Sequence, residues 1–377
     1  MDAQKTMFIN GNEFAFEPSE TILQVAHRNF IDIPTLCHLK GATPTGACRI
    51  CVVEIEGAKT LMTACTLLAE AGMVVQTESA KVLESRKMTL ELLLASGNHN
   101  CAVSGGDGGD WTDFQMQVHQ EDESDALCPA WGVCRLQELA YRYQVKGDRF
   151  NGTGAPYPIE RVNPFVVRDF GKCILCGRCL QACNDIQVNN AIDFGYSGKD
   201  AKIITAGDRP LKDSDCVFCG ECVQACPTAA LVVKDARYAG RPWETKKTRT
   251  TCAYCGVGCQ LELHVKDNVV EKVTGAQGFA PNDGSLCVKG RFGYDFINSA
   301  ERLTTPLIKE NGQFRQASWN EALTLVAEGF SRIMDTRGSD SIGVLSSARV
   351  SNEENYVVQK FARAVLKTNN VDHCARL

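Results

Sequence analysis

Twenty cysteines stand in 377 residues, and most of them fall into groups whose spacing suits an inorganic core. The densest stretch reads Cys173-x2-Cys176-x2-Cys179-x3-Cys183 and, after 32 residues, Cys216-x2-Cys219-x2-Cys222-x3-Cys226-Pro227. Three thiolates at two-residue gaps wrap a loop around one [4Fe–4S] core. The fourth lies too far along the chain for that core and serves the other one. The spacing therefore predicts Cys173, Cys176, Cys179 and Cys226 at one cluster, and Cys216, Cys219, Cys222 and Cys183 at a second. Zinc also accepts two-residue gaps, but it takes its ligands as two pairs, not as a triplet with a crossed fourth. Asn184 stands where a proline is expected after Cys183.

Three further groups flank this stretch. Cys37, Cys48, Cys51 and Cys65, at gaps of ten, two and thirteen, suit a [2Fe–2S] cluster in a glycine-bearing loop. A zinc knuckle is the bland alternative. His38 is read as a bystander, because four thiols already complete that site. Cys101, Cys128 and Cys134 are one ligand short of a four-iron core, and His99 is the candidate fourth, with His119 its rival. Imidazole in place of a thiolate alters cluster charge and so its potential. Cys252, Cys255, Cys259 and Cys287, at gaps of two, three and 27, form a fifth group. Gly256 and Gly258 let the backbone approach a bulky core there. Together the groups use nineteen cysteines and leave only Cys374.

The elements that must position these residues are short. Asn10-Gly11 between apolar runs predicts a hairpin, and Thr21 opens a helix to about Asn29. Val52–Ile55 reads as a strand. Residues 82–95 carry apolar positions 82, 83, 90, 93 and 94, a helical stripe that delivers the chain to His99. Between Cys101 and Cys128 lies an insert with seven acids and no lysine or arginine, read as a solvated loop. Residues 147–164, rich in glycine and proline, read as a linker. Leu231–Val233 reads as a strand closing the eight-cysteine module. The basic stretch 241–249 reads as a boundary and a solvated linker. Residues 260–265 and 268–273 predict a hairpin around Lys266-Asp267. Ser318 caps a helix to about Arg337, 341–346 reads as a buried-type strand, 352–367 as a helix, and Asn370 begins another strand. That is β-α-β, the opening of a parallel sheet. The expected domains are 1–80, 81–146, 147–240, 248–304 and 305–377.

A formal net charge of −5 with mixed signs gives no basic footprint for nucleic acid. No apolar run is long enough for a transmembrane helix. The start shows neither an apolar export segment nor twin arginines. Cysteines without an export signal argue for metal ligation rather than disulfides, and the cytoplasm is the expected compartment.

On these motifs the front of the chain resembles the large iron–sulfur subunit of NADH:quinone oxidoreductase and the front half of iron-only hydrogenases. There a [2Fe–2S] domain precedes a four-iron cluster held by one histidine and three cysteines. In those families three residues separate the histidine from its first cysteine; here only Asn100 does. The segment Cys252 to Cys287, with Lys289, resembles the first domain of molybdopterin oxidoreductases. The ending, Asn369 to Leu377, is similar to the run just before the metal ligand of formate dehydrogenases. The whole order resembles the catalytic subunit of cytoplasmic NAD(P)-linked formate dehydrogenase.

The resemblance implies an α+β multidomain fold. Its parts are a β-grasp [2Fe–2S] domain, a histidine-plus-three-cysteine domain, a double [4Fe–4S] ferredoxin domain, and the [4Fe–4S] domain and incomplete α/β start of a molybdopterin oxidoreductase. It implies one [2Fe–2S] and four [4Fe–4S] clusters, and a molybdenum or tungsten bis-pterin in the full-length protein. Lys289 then stands between cluster and pterin. Electrons enter at the Cys252 group, pass the crossed pair and leave through the His99 and two-iron sites toward a flavin, NAD(P)-binding diaphorase subunit or a ferredoxin. The selenocysteine or cysteine ligand is expected directly after Leu377. A selenocysteine codon read as a stop is therefore the expected cause of the ending, and the 377 residues alone are expected to be inactive on formate. Neither His373 nor Cys374 takes a catalytic role. The alternatives are a large iron–sulfur subunit of an NADH dehydrogenase or hydrogenase complex, and a stand-alone multi-cluster carrier.

Overall fold

The computed structural model describes residues 5–97, 99, 128–145, 149–150, 157–237 and 239–373. Cys101, His119, Cys374 and the acidic insert lie outside the described residues. The chain divides into two compact units, Met1–Lys246 and Lys247–Leu377.

In the first unit, β1 (Thr6–Ile9) and β2 (Asn12–Ala15) pair antiparallel across Asn10 and Gly11. Both turn residues have positive φ, which matches the right-handed twist of the flanking strands. Helix α1 (Ile22–Arg28) starts in a reciprocal cap between Thr21 and Gln24. Strands β3 (Val52–Ile55), β4 (Met62–Thr63) and β5 (Val74–Gln76) complete a five-stranded sheet in the order β2-β1-β5-β3-β4. Pairing is parallel between β1 and β5 and antiparallel between β3 and its neighbours. Met7, Ile9, Ile22, Val25, Val53 and Val75 fill the core beneath it.

Helix α2 (Ala80–Ala95), capped by Ser79, turns Val82, Arg86, Leu90 and Leu94 inward. Helix α3 (Arg135–Arg142) packs beside it. Strands β6 (Ile159–Glu160), β7 (Val166–Asp169) and β10 (Leu231–Val233) form a small sheet in the order β10-β7-β6. The predicted linker 147–164 is thus partly ordered structure. β6 lies within it, and the buried Asn163 accepts from the amides of Phe165 and Val166 at 2.8 and 2.9 Å. Between β7 and β10 come helix α4 (Arg178–Gln181), a π turn (Ala182–Ile186), the ribbon β8 (Asp193–Gly195) with β9 (Lys202–Ile204), and helix α5 (Glu221–Ala225).

The stretch 241–249 is not simply solvated. Arg241 is buried and donates to the Cys128 carbonyl at 3.0 Å. The Trp243 ring lies over Gly132, where a Cβ would stand 2.5 Å from it.

The second unit begins with β11 (Lys246–Thr251), paired to the hairpin β12 (Gln260–Lys266) and β13 (Val269–Gly275). The turn falls on Asp267 and Asn268, both at positive φ, one residue later than predicted. Leu261, Val270, Val273 and Leu286 form the core of this part. Helix α6 (Val288–Phe292) packs on β13. After the hairpin β14 (Leu307–Glu310) and β15 (Gln313–Gln316) comes α7 (Trp319–Arg337), capped by Ser318. Then β16 (Val344–Ser346), α8 (Asn352–Ala364) and β17 (Val371–His373) form the predicted parallel β-α-β unit. β16 is not the buried strand expected, since Leu345 is 84 % exposed. Among the described residues no helix is long and apolar enough to cross a membrane.

Candidate metal centres

The loop between α1 and β3 brings Cys37, Cys48 and Cys51 together with Cys65, and all four are buried. The Cys48 amide points at the Cys37 sulfur, 3.5 Å away. A hydrogen bond from the Cys48 thiol holds Cys37 down to about 5, and one from Cys65 holds Cys51 down to about 7. Cys65 is pushed up by that same bond and by burial, and it also senses Cys37 and Cys48, so the four share one field. Thiolate is the metal-binding form, and this site already favours it at two positions.

His99, Cys128 and Cys134 line one small cavity of ≈ 10 Å³ with Gln137, Lys172 and Thr228. The His99 Nε2 is buried and has no hydrogen-bond partner among the described residues. Burial, with the Lys172 charge, pushes its imidazole down to about 4. A neutral ring with a free nitrogen facing two thiols is the donor a metal requires. His38 also has a buried ring nitrogen, Nδ1, without a partner among the described residues, and burial pushes its pKa down. It lines neither the His99 cavity nor the one bounded by Cys173, Cys176 and Cys179.

In the eight-cysteine module the two loops have the same backbone. Leu175 and Phe218 have φ of 52° and 54°, and Gly177 and Gly220 have 76° and 73°. These left-handed residues fold each C-x2-C loop back on itself and aim its amides inward. Phe218 N stands 3.4 Å from the Cys216 sulfur, and Ala191 N stands 3.4 Å from that of Cys183. A cavity of ≈ 50 Å³ is lined by Cys173, Cys176, Cys179, Cys222 and Cys226. Burial raises Cys173 to about 11 and Cys176 to about 12, and the Cys226 charge adds to both. Burial likewise raises Cys222, with Cys219, Cys216, Cys183 and Cys226 adding. Cys226 thus lines the cavity of the first triplet, which Cys222 of the second also reaches. Among the described residues no three such side chains close on a point suited to one ion; here they stand around a volume.

In the second unit the Cys252 amide donates to the Cys259 carbonyl at 2.8 Å, closing the loop that carries Cys255. Cys259 is raised by burial and then by Cys252, Cys255 and Cys287, which lie within electrostatic reach of it. Gly290 leaves room for the Cys252 sulfur, 3.5 Å from where its Cβ would be. Tyr254 donates to the Gly293 carbonyl and ties the loop to α6. Cys255, Cys287 and Lys289 are exposed. His373 is exposed at the end of β17, beside a crevice of ≈ 300 Å³ at the carboxyl ends of the parallel strands.

Cys37, Cys48, Cys134 and Cys176 border one apolar core with Leu90 and Leu139, so three of the candidate centres adjoin through packed side chains. Arg86 stands among them, and the sequence reading passed over it. Its signal was its place on the α2 stripe, four residues after the apolar Val82 and four before the apolar Leu90.

Soft thiolate donors, inward amides and cavities with volume define an iron–sulfur protein with several centres. Comparison with known families gives the same class. Residues 3–80 match the 2Fe-2S iron-sulfur cluster binding domain, and residues 172–230 the 4Fe-4S dicluster domain. Residues 245–299 match the molybdopterin oxidoreductase Fe4S4 domain, and residues 302–377 the molybdopterin oxidoreductase family. The chain is an iron–sulfur protein with the domains of the molybdopterin oxidoreductase family.

It is similar to the NADPH-Fe(3+) oxidoreductase subunit alpha of Geobacter sulfurreducens, at 36 % identity over 99 % of this chain and 40 % of that protein. It is also similar to the "Putative formate dehydrogenase YrhE" of Bacillus subtilis, at 33 % identity over 98 % of this chain and 39 % of that protein. The chain thus spans about two fifths of the length of these relatives. Among solved structures it resembles an NAD+-reducing [NiFe]-hydrogenase in the H2-reduced state. The TM-score is 0.53 at 28 % identity, covering 63 % of this chain and 91 % of that one.

Proposed function

We propose that this chain is the iron–sulfur electron-transfer portion of a formate dehydrogenase-type oxidoreductase. It links a molybdenum or tungsten pterin site to an NAD(P)-linked diaphorase subunit or a ferredoxin. The observation that supports the reading is a single cavity lined by Cys226 together with Cys173, Cys176 and Cys179, with Cys222 also on its wall; the pairing of Cys183 with Cys216, Cys219 and Cys222 is part of the proposal. In this reading the first site holds [2Fe–2S], His99 with Cys101, Cys128 and Cys134 holds a [4Fe–4S] core, and the Cys252 group holds another. Bound clusters supply one-electron transfer. The residues set spacing, exclude water and aim amides at sulfur. In this reading Lys289, two residues after Cys287, faces the pterin.

Iron and sulfide analysis with electron paramagnetic resonance tests the wiring, with about eighteen irons expected. A colourless protein holding zinc would end the reading. Formate-dependent reduction of a viologen dye by the cofactor-loaded, full-length protein tests the substrate. A second reading, electron delivery from NADPH to a metal acceptor, is favoured by the 36 % identical relative. Dye reduction with NADPH but not with formate would select it.

A further inference from the structure

Arg86 lies on α2, outside the loop that carries the first four cysteines, and its exposure is 0 %. Its Nε donates to the Ile50 carbonyl at 3.0 Å and its Nη2 to the Val52 carbonyl at 2.9 Å. Those two carbonyls belong to the residues on either side of Cys51. Its Nη1 donates to the Tyr143 hydroxyl at 3.0 Å. Among the described residues no carboxylate reaches it. A guanidinium does not shed its proton. A buried charge without a counter-charge costs several kcal/mol, which two carbonyls and a phenol offset only in part.

An oxidised two-iron core with four thiolates is dianionic, and reduction adds a further negative charge. That is the missing counter-charge. We propose that Arg86 is the buried counter-cation of the centre held by Cys37, Cys48, Cys51 and Cys65, and that it raises the reduction potential of that centre. The proposal rests on the two-iron reading of that site. A nearby cation favours the more negative, reduced state, so one electron enters more readily with Arg86 present. The clamp on the Ile50 and Val52 carbonyls holds the Cys51 loop against the guanidinium. Because α2 also leads to His99, the same residue ties the first centre to the helix that feeds the second.

The test is a redox titration of the cluster-loaded full chain, read from the two-iron resonance. In Arg86→Gln the reduced-to-oxidised ratio at fixed potential is expected to fall at least tenfold, a shift of about 59 mV for a one-electron couple. Arg86→Lys keeps the charge and is expected to stay near wild type. Tyr143 is half-buried, so Tyr143→Glu places a carboxylate against the guanidinium while leaving the carbonyl contacts; its potential is expected to fall as well. Tyr143→Glu decides the matter where Arg86→Gln fails to assemble. Unmoved potentials overturn the proposal, as does Arg86→Lys falling as far as Arg86→Gln. A wild-type chain without a two-iron resonance overturns the cluster reading itself and the proposal with it.

Discussion

Cys134 and Pro227 are 93 residues apart in sequence, yet the Cys134 sulfur lies 3.6 Å from the Pro227 carbonyl oxygen. The same carbonyl accepts from the Arg135 amide at 2.8 Å. Pro227 follows Cys226 and lines the cavity of the first triplet. Thr228 lines both that cavity and the His99 cavity. Its one hydroxyl proton has two possible acceptors, the Lys172 carbonyl at 2.7 Å and the Cys226 sulfur at 3.7 Å. The shorter bond wins, so Thr228 secures the chain before Cys173 more than it tunes sulfur. Thr228→Val should cost about 1–3 kcal/mol by stranding a buried carbonyl, while Thr228→Ser should be near neutral. Denaturant titration measures both. A shifted cluster potential with unchanged stability would reverse the assignment.

The crossed grouping makes a count that single substitutions cannot. Removing any one ligand disturbs one centre under either pairing. The double variant Cys173→Ser with Cys226→Ser strikes a single centre if Cys226 serves the first triplet, and iron should fall by about four. Cys216→Ser with Cys226→Ser strikes two centres, and iron should fall by about eight. The opposite result would mean that each four-cysteine run closes on itself.

The short cysteine gaps stood out because they are read directly from the sequence, and caps such as Thr21 and Ser318 announced their helices because they too are local. What was illegible depended on partners far along the chain. β6 has two residues and no periodicity; it is a strand only because β7 pairs with it. Arg241 looked solvated until the Cys128 carbonyl reached it. The hairpin turn moved to Asp267-Asn268 because Asn tolerates the left-handed region, which Lys266 does less readily. The apolar letters of β16 say nothing of what covers Leu345. Arg86 broke an apolar stripe, a signal present in the sequence but with a meaning that needed the carbonyls of Ile50 and Val52.

His99 and His119 compete for one role, and only His99 lies within the described residues. Its orphaned Nε2, facing Cys128 and Cys134, makes it the expected ligand. His99→Ala should lose about four irons, and His119→Ala none. His99→Cys should keep the centre but lower its potential, because a thiolate adds the negative charge that imidazole lacks. Iron analysis and a redox titration of the three variants read this directly. Loss of iron in His119→Ala alone would transfer the role.

A second buried histidine makes the fold itself respond to pH. His264 on β12 meets the Thr274 hydroxyl on β13 at 2.9 Å, and that hydroxyl donates to Glu262 at 3.3 Å. Which group donates in the His264–Thr274 bond depends on the imidazole tautomer. Burial, with Lys272 and Lys247 adding, pushes His264 from 6.5 down to about 4. The folded chain keeps this ring neutral where the unfolded chain protonates it. Between pH 6.5 and about 4 the unfolded state binds the extra proton, so stability must fall as pH falls, with a slope approaching one proton. Above pH 6.5 the contribution is complete and flat. His264→Asn has nothing to titrate and should lose that part of the slope, at a cost of about 1 kcal/mol near neutrality. Denaturant midpoints of the two chains, in matched preparations from pH 7 to about 4.5, give the difference. Parallel curves would mean that His264 is protonated in the folded unit and that its burial is not what the β12–β13 packing enforces.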